Sequence, residues 1–235
     1  MRWVLLSCLI ACGFQSTATP LLQIDAAVPD AAVPDAAVPD ATPCQVGASS
    51  TSIDRGQVGL STGGGTFQTL ACDGDARIIG LALDMSDQPA NGEDDDSARG
   101  IRIGCATVTI GAAQGSAGPI ATKDSEGHGG SGWTPSTLTA LALCPPGAVL
   151  SGLLVHGGGK GGGNLFLDAT MTCTTFDVTA KLITTTAVPI AGSQTEPLQP
   201  SQVQCEAGEQ VVSMMTDTGA GLDSLRLSCA PTICK

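Results

Sequence analysis

The chain has 235 residues, 31 of them glycine, no tyrosine, and a formal net charge of −12 at pH 7. A negative charge of this size repels nucleic acids and anionic lipid headgroups, so the composition argues against a nucleic-acid-binding protein. Aromatic residues make up only 3% of the chain. The core is therefore expected to consist of small aliphatic side chains, with cross-links adding to its stability.

Residues 1–11, MRWVLLSCLIA, predict an export signal, because one positive charge precedes an apolar run that is too short to span a bilayer. Residues 9–12 resemble the lipobox of bacterial lipoproteins. That resemblance implies cleavage before Cys12 and acyl chains on this cysteine, which would anchor the protein stably. Gly13 replaces the Asp of the inner-membrane retention signal, so the expected location is the outer membrane, at its periplasmic face or on the cell surface. The alternative is an ordinary secretory signal cleaved near Ala18, which would make the protein secreted.

Residues 12–43 comprise the predicted lipidated cysteine and a disordered linker. Three copies of Asp-Ala-Ala-Val-Pro and a fourth Asp span Asp25 to Asp40. Proline at every fifth position blocks helices and sheet pairing, and the evenly spaced charges oppose collapse. We expect an extended, polyproline-II-like stalk that holds the following domain away from the membrane.

Residues 44–235 predict one all-β domain, because short apolar runs alternate with turns rich in Gly, Ser, Asn and Pro. No stretch has a sustained helical period. The predicted strands are Phe67 to Ala71, Arg77 to Leu83, Gly100 to Ile110, Leu138 to Leu143, Val149 to Val155, Leu165 to Cys173, Lys181 to Thr186, Val211 to Thr216 and Leu222 to Ser228.

The domain contains an internal repeat of three units that begin at Cys72, Cys144 and Cys205. Each of these cysteines is followed eight residues later by a two-residue motif: Gly80 and Leu81, Gly152 and Leu153, or Ser213 and Met214. Each unit then crosses a polar or glycine-rich loop and ends on alternating apolar residues before a second cysteine, at Cys105, Cys173 or Cys229. Each unit is therefore predicted to be a β-hairpin.

The repeat predicts the disulfide pairing of the eight domain cysteines. A cysteine that opens one strand and a cysteine that ends its antiparallel neighbour are expected to lie opposite each other, within disulfide distance. The predicted bonds are Cys72–Cys105, Cys144–Cys173 and Cys205–Cys229, with the remaining pair, Cys44–Cys234, joining the two ends of the domain. Disulfides persist outside the cytosol, which agrees with export.

Three hairpin repeats with the pattern C-x7-G-L and the terminal sequence GAGLDSLRLSC resemble jacalin-type lectins and vitelline membrane outer layer proteins. The resemblance implies a β-prism of three four-stranded Greek-key sheets. In jacalin-type lectins a GxxxD loop holds the sugar through backbone amides and the Asp carboxylate, and Gly219, Gly221 and Asp223 fit that pattern. Arg99 and Leu167 occupy the position of Asp223 in the first two units, which therefore lack the motif.

Two further features are candidate ligand sites. Asp94, Asp95 and Asp96 lie in the longest hairpin loop, where their carboxylates could bind calcium; the alternative is a solvated acidic loop. Trp133 is the only tryptophan after the leader. It would be a sugar-stacking surface if exposed at one end of the prism, although tryptophan is usually well buried.

The sequence predicts no enzymatic activity. Residues 59–63, GLSTG, match the GxSxG nucleophile motif, but no helix is predicted after them. His128 and His156 are the only histidines; they are expected in loops, and neither belongs to a general-base or zinc arrangement.

The sequence thus favours a lipid-anchored surface recognition or adhesion module. The expected partners are the outer membrane, through the acyl chains, and a glycan or cell-wall polysaccharide. No cofactor is expected apart from calcium. The alternative function is that of a structural cell-envelope protein with no small-molecule ligand.

Overall fold

The computed structural model describes residues 42–59, 66–87, 96–111, 115–125, 137–158, 165–190, 199–218 and 221–235. The elements in these ranges are all strands: β1 Cys44–Ala48, β2 Ile53–Gly59, β3 Thr66–Ala71, β4 Arg77–Asp87, β5 Asp96–Ala106, β6 Val108–Ile110, β7 Ser116–Ala117, β8 Ala121–Asp124, β9 Thr137–Leu138, β10 Ala142–Leu143, β11 Ala148–Gly158, β12 Leu165–Phe176, β13 Leu182–Ile190, β14 Gln199–Gln204, β15 Glu209–Thr218 and β16 Leu222–Cys234. Within this part of the chain, no helix is long and apolar enough to cross a membrane.

The strands form three sheets, which confirms the predicted all-β, threefold prism. The first has seven strands in the order β3-β15-β16-β1-β6-β7, with β2 also paired to β16. The second has five strands in the order β10-β4-β5-β8, with β9 paired to β4, and the third has four in the order β13-β12-β11-β14. The two larger sheets exceed the four strands expected of a Greek key because short strands extend or flank them.

Each sheet is built on one of the predicted hairpins, β4–β5, β11–β12 or β15–β16. Each repeat also includes the strand that precedes its first cysteine, and this strand pairs with the hairpin of another repeat: β10 joins β4, β14 joins β11 and β3 joins β15. The chain then turns at Cys72, Cys144 or Cys205 and enters its own hairpin. This exchange of strands closes the three repeats into one ring of sheets.

The main core lies between the three sheets and is made of the residues that recur in the repeat. Leu81, Leu153 and Met214 have 0%, 1% and 0% relative exposure, and they share one hydrophobic cluster with the residues two positions before each closing cysteine, Ile103, Met171 and Leu227. A second cluster contains Val46, Ile79, Val108, Val149 and Phe176. It joins β1 and β6 to the hairpin ends near the cysteines.

The four disulfides join the predicted partners, but the predicted geometry was wrong. Cys105 lies opposite Ile78, six residues after Cys72, and the other two units have the same offset. The first cysteine of each unit instead lies where the chain passes from one sheet to the next. Each intra-repeat bond therefore ties a hairpin to the strand that its own repeat contributes to another sheet.

Several strands differ from the prediction. Gly100 to Ile110 is divided into β5 and β6, and Leu138 to Leu143 is divided into β9 and β10. The strand predicted at Lys181 to Thr186 begins one residue later and continues to Ile190. Strands β1, β2, β7, β8 and β14 were not predicted. Most of these are edge or short strands with polar residues, so their sequences lack a long apolar alternation.

Candidate functional site

All three hairpins carry a β-bulge near their turn. The bulged residue lies six positions before the closing cysteine: Arg99 in β5, Leu167 in β12 and Asp223 in β16. Bulges redirect side chains and often occur next to functional sites. The third unit is therefore the one in which this recurrent position holds a carboxylate.

The residues around Asp223 come from four neighbouring strands of the first sheet. Asp217 in β15 lies opposite Ser224 in β16 on one side and opposite Phe67 in β3 on the other. Ser224 in turn lies opposite Gly59, the last residue of β2. Cross-strand partners share a face of the sheet, so Phe67, Asp217, Ser224 and Gly59 form one row next to the bulge.

Most residues of this site are buried and form its framework, whereas Phe67 is exposed and Asp223 is half-buried. Asp217 and Ser224 are each only 2% exposed, and Gly221 and Leu222 are also buried. Asp223 is half-buried, and an ionised carboxylate offers about four lone-pair positions for hydrogen bonds. The framework therefore places one partly exposed acidic residue, Asp223, at the bulge.

The structure brings together two of the predicted sugar-binding residues, Gly221 and Asp223. Gly219 lies outside the described residues, as does Trp133. The described residues that flank residues 126–136 in the sequence are Ser125 and Thr137. Ser125 exchanges two 2.8 Å hydrogen bonds with the backbone of Ile101, and Thr137 lies opposite Met85. These neighbours belong to or flank the second sheet, whereas Gly221 and Asp223 belong to the first.

The predicted calcium-binding residues are only partly covered by the structure. Asp94 and Asp95 lie outside the described residues. Asp96 is the first residue of β5, where its backbone lies opposite Asp87, the last residue of β4.

Phe67 is the residue that the sequence analysis missed. Its side chain is 55% exposed, in a chain with only four phenylalanines. The strand pattern does indicate that Phe67 is exposed. Leu70 is buried in the core, and Phe67, three positions away in the same strand, must lie on the opposite face. An exposed aromatic ring beside a buried carboxylate is a suitable surface for an amphipathic ligand.

His156 corrects an expectation: it lies in strand β11 and not in a loop. Its Nδ1 contacts the carboxylate of Asp168 on β12, and Asp168 is 4% exposed. The pair occupies the cross-strand position that Asp217 and Ser224 occupy in the third unit. His128 lies outside the described residues.

One group of potential metal ligands, Cys205, Glu209 and Cys229, is explained by other bonds. The two cysteines form a disulfide, so neither is a thiolate. The Arg55 Nε donates a 2.9 Å hydrogen bond to Glu209, and this hydrogen bond is the main cause that lowers the pKa of the Glu209 carboxyl. Glu209 therefore acts as an ion-pair partner for strand β2.

Residue Gly59 begins the GxSxG motif and ends strand β2. Residues 60–63 lie outside the described residues. The next described element is strand β3 at Thr66. A nucleophile elbow needs a strand followed by a helix, and the strand-to-strand order around this motif differs from that arrangement.

No protein-family model matches the sequence, and no curated protein matches it. Solved structures with a similar arrangement include an agglutinin from Calystegia sepium, with a TM-score of 0.44 and 15% identity over 77% of this chain and 97% of that one. A Malaysian banana lectin has a TM-score of 0.48 and 14% identity, over 77% and 99% of the two chains. A mannose-binding jacalin-related lectin from Ananas comosus has a TM-score of 0.43 and 16% identity, over 77% and 98%.

Proposed function

We propose that this protein is a saccharide-recognition module whose binding site is centred on Gly221 and Asp223, with Gly219 in the same loop. The observation that carries the proposal is the half-buried Asp223 carboxylate on a β-bulge of the first sheet. Such a carboxylate can accept hydrogen bonds from two neighbouring hydroxyls. Charge-assisted hydrogen bonds of this kind are stronger than neutral ones.

A glycan array followed by calorimetry with the full-length chain tests this function. Asp223→Asn keeps the shape of the side chain and removes its charge, so we expect affinity to fall at least about tenfold, because a hydrogen bond to a charged group contributes about 1.5–3 kcal/mol. The matched control is Asp73→Asn, which makes the same charge change at an exposed turn next to Cys72. Equal binding by parent and Asp223→Asn would contradict the assignment. No binding to any saccharide would favour the structural envelope role.

We further propose that the protein is exported and held at the outer membrane through acyl chains on Cys12. The lipobox-like residues 9–12 support this proposal, and so do the four disulfides, which are typical of compartments outside the cytosol. Metabolic labelling with a fatty acid should mark the parent chain and not Cys12→Ser. Labelling of both chains, or of neither, would contradict lipidation at this residue.

The acidic run Asp94 to Asp96 is proposed as a calcium site in the same module. Saccharide binding should therefore be measured both with calcium and with a chelator, because carboxylate oxygens are ligands that calcium prefers. This comparison separates a calcium-dependent ligand from one held by the first sheet alone.

A further inference from the structure

The first sheet combines two features at positions where the other two repeats differ. The bulged residue is Asp223 in the third unit, against Arg99 and Leu167 in the others. The strand that flanks this hairpin, β3, supplies Phe67 opposite Asp217, and the equivalent positions hold Leu138 opposite Asp84 and Pro200 opposite His156. A carboxylate at the bulge and an exposed aromatic residue on the flanking strand therefore occur together in the first sheet.

The register fixes the separation between these two groups. Phe67 is one strand away from Asp217, and Asp217 is one strand away from the bulge that contains Asp223. Neighbouring strands are about 4.8 Å apart, so the two positions are separated by roughly 10 Å. Asp217 and Ser224, which lie between them, are each 2% exposed. The half-buried Asp223 and the exposed Phe67 are thus two contact points on different strands, with two buried residues between them.

We infer that the site accepts a ligand with at least two linked pyranose rings, one hydrogen-bonded at Asp223 and the other packed against Phe67. This inference rests on the proposed saccharide-binding function. A single pyranose ring is shorter than the separation of the two backbone positions, roughly 10 Å, so a monosaccharide hydrogen-bonded at Asp223 is expected to leave most of the phenyl ring uncovered. A disaccharide spans both, and the C–H face of its second ring covers the exposed phenyl ring, which removes apolar surface from water.

The two contacts predict different responses to mutation. Phe67→Ala should weaken a disaccharide about tenfold, since burying an aromatic surface contributes on the order of one factor of ten in affinity. The same variant should change the affinity for a monosaccharide by less than about twofold. Asp223→Asn should weaken both ligands, because the first ring is common to them.

The experiment is calorimetric titration of the full-length chain with three matched pairs of sugars: galactose and lactose, mannose and mannobiose, and N-acetylglucosamine and chitobiose. Leu138→Ala is the control, since it truncates an exposed apolar residue, 37% exposed, at the equivalent position of the first unit. Phe67→Tyr keeps the aromatic face and should retain the preference for the disaccharide. Unchanged thermal midpoints establish that each variant is folded.

The outcomes separate the inference from the function on which it rests. Binding that depends on Asp223 but is equally strong for Phe67→Ala and the parent would overturn the two-ring inference and leave the saccharide function intact. A parallel loss of monosaccharide and disaccharide binding in Phe67→Ala would also overturn it. If none of the six sugars binds the parent chain and the glycan array is blank, the proposed function fails, and the two-ring inference fails with it.

Discussion

Replacing Gly80 by serine should destabilise the protein, whereas the same change at the equivalent Gly152 should have a smaller effect. Both glycines lie eight residues after the first cysteine of their repeat and face a strand from the following repeat. Gly80 lies opposite Leu143, and Gly152 lies opposite Gln204. A Cβ at Gly80 would be 2.7 Å from both the Ala142 carbonyl oxygen and a Leu143 methyl carbon.

The two positions differ in how far their neighbours can yield. At Gly152 the contacts of a new Cβ are longer, with the Gln204 Cγ at 3.0 Å and the Gln204 Cβ and the Val203 carbonyl oxygen at 3.2 Å. The Cγ belongs to an exposed side chain and can rotate away, so the remaining contacts are a few tenths of an ångström tight. At Gly80 the Ala142 carbonyl belongs to the backbone and can move only if β10 moves. Overpacking of this kind costs about 1–3 kcal/mol, and replacing a strand glycine recovers roughly 0.5–1 kcal/mol.

Because both contacts at Gly80 are 2.7 Å, the upper end of the overpacking range applies, and about 3 minus about 1 gives an expected net loss of about 2 kcal/mol for Gly80→Ser. The loss expected for Gly152→Ser is smaller, below about 1 kcal/mol. At about 2–4 °C per kcal/mol for a chain of this size, Gly80→Ser should lower the thermal midpoint by about 4–8 °C. Thermal unfolding followed by circular dichroism measures both variants under the same conditions, with the disulfides intact.

A double variant tests the stated cause. Leu143→Ala removes the side-chain contact at Gly80 but leaves the Ala142 carbonyl in place, so Gly80→Ser/Leu143→Ala should recover less than half of the loss. The third repeat already has this combination, because Ser213 lies opposite the small Ala71. Equal midpoints for Gly80→Ser and Gly152→Ser, or full recovery in the double variant, would refute the reasoning.

Three further predictions concern other parts of the chain. Arg55→Ala should lower the thermal midpoint at neutral pH, and the deficit relative to the parent should shrink in acid. The reason is that Arg55 lowers the pKa of the Glu209 carboxyl, so the ion pair stabilises the folded protein at a pH above the pKa that this carboxyl has in the unfolded chain. The stabilisation is lost as the pH falls through the lower pKa of the folded protein, and a deficit that does not depend on pH would contradict this explanation. Gly147→Ala should destabilise the protein more than Gly74→Ala in urea unfolding, because both have positive φ, 77° and 56°, but only a Cβ at Gly147 meets a neighbour, the Gly115 Cα at 2.7 Å. Calorimetry with calcium should give heat for the parent and less for Asp95→Ala, and a parent without heat would remove the calcium site.

The threefold hairpin architecture could be predicted from the sequence because it depends on local and periodic signals. Cysteine spacing and alternating apolar residues such as Leu225 and Leu227 identify the two long strands of each unit. The exchange of strands between repeats could not be predicted. Strand β14 begins its pairing with Gly157 of β11, and nothing in its sequence, QPSQVQ, identifies the hairpin it joins. Edge strands carry little apolar alternation, and their partners are set by tertiary packing.

The candidate site was predicted in part for the same reason. Asp223 was identified because it belongs to a contiguous motif, whereas Phe67 lies 156 positions earlier in the chain and approaches Asp217 only through the pairing of β3 with β15. His156 was assigned to a loop because the glycines that follow it suggested a turn. Strand β11 nevertheless continues through His156 to Gly158, and the contact of His156 with Asp168 on β12 joins the two strands there.

The three repeats differ at their outer positions more than at the positions that face the core. The positions that face the core are interchangeable: Leu81, Leu153 and Met214 are apolar and have almost no exposure. The outer positions differ in charge, size and aromaticity. The bulged residue is Arg99, Leu167 or Asp223, and the residue on the flanking strand is Leu138, Pro200 or Phe67. Phe67 and Asp223 differ in type from their counterparts in the other two sheets, and the proposed saccharide function gives each of them a contact in the first sheet. A ligand that covers Phe67 while it bonds Asp223 would need two linked rings, and this requirement is the specific consequence of that proposal.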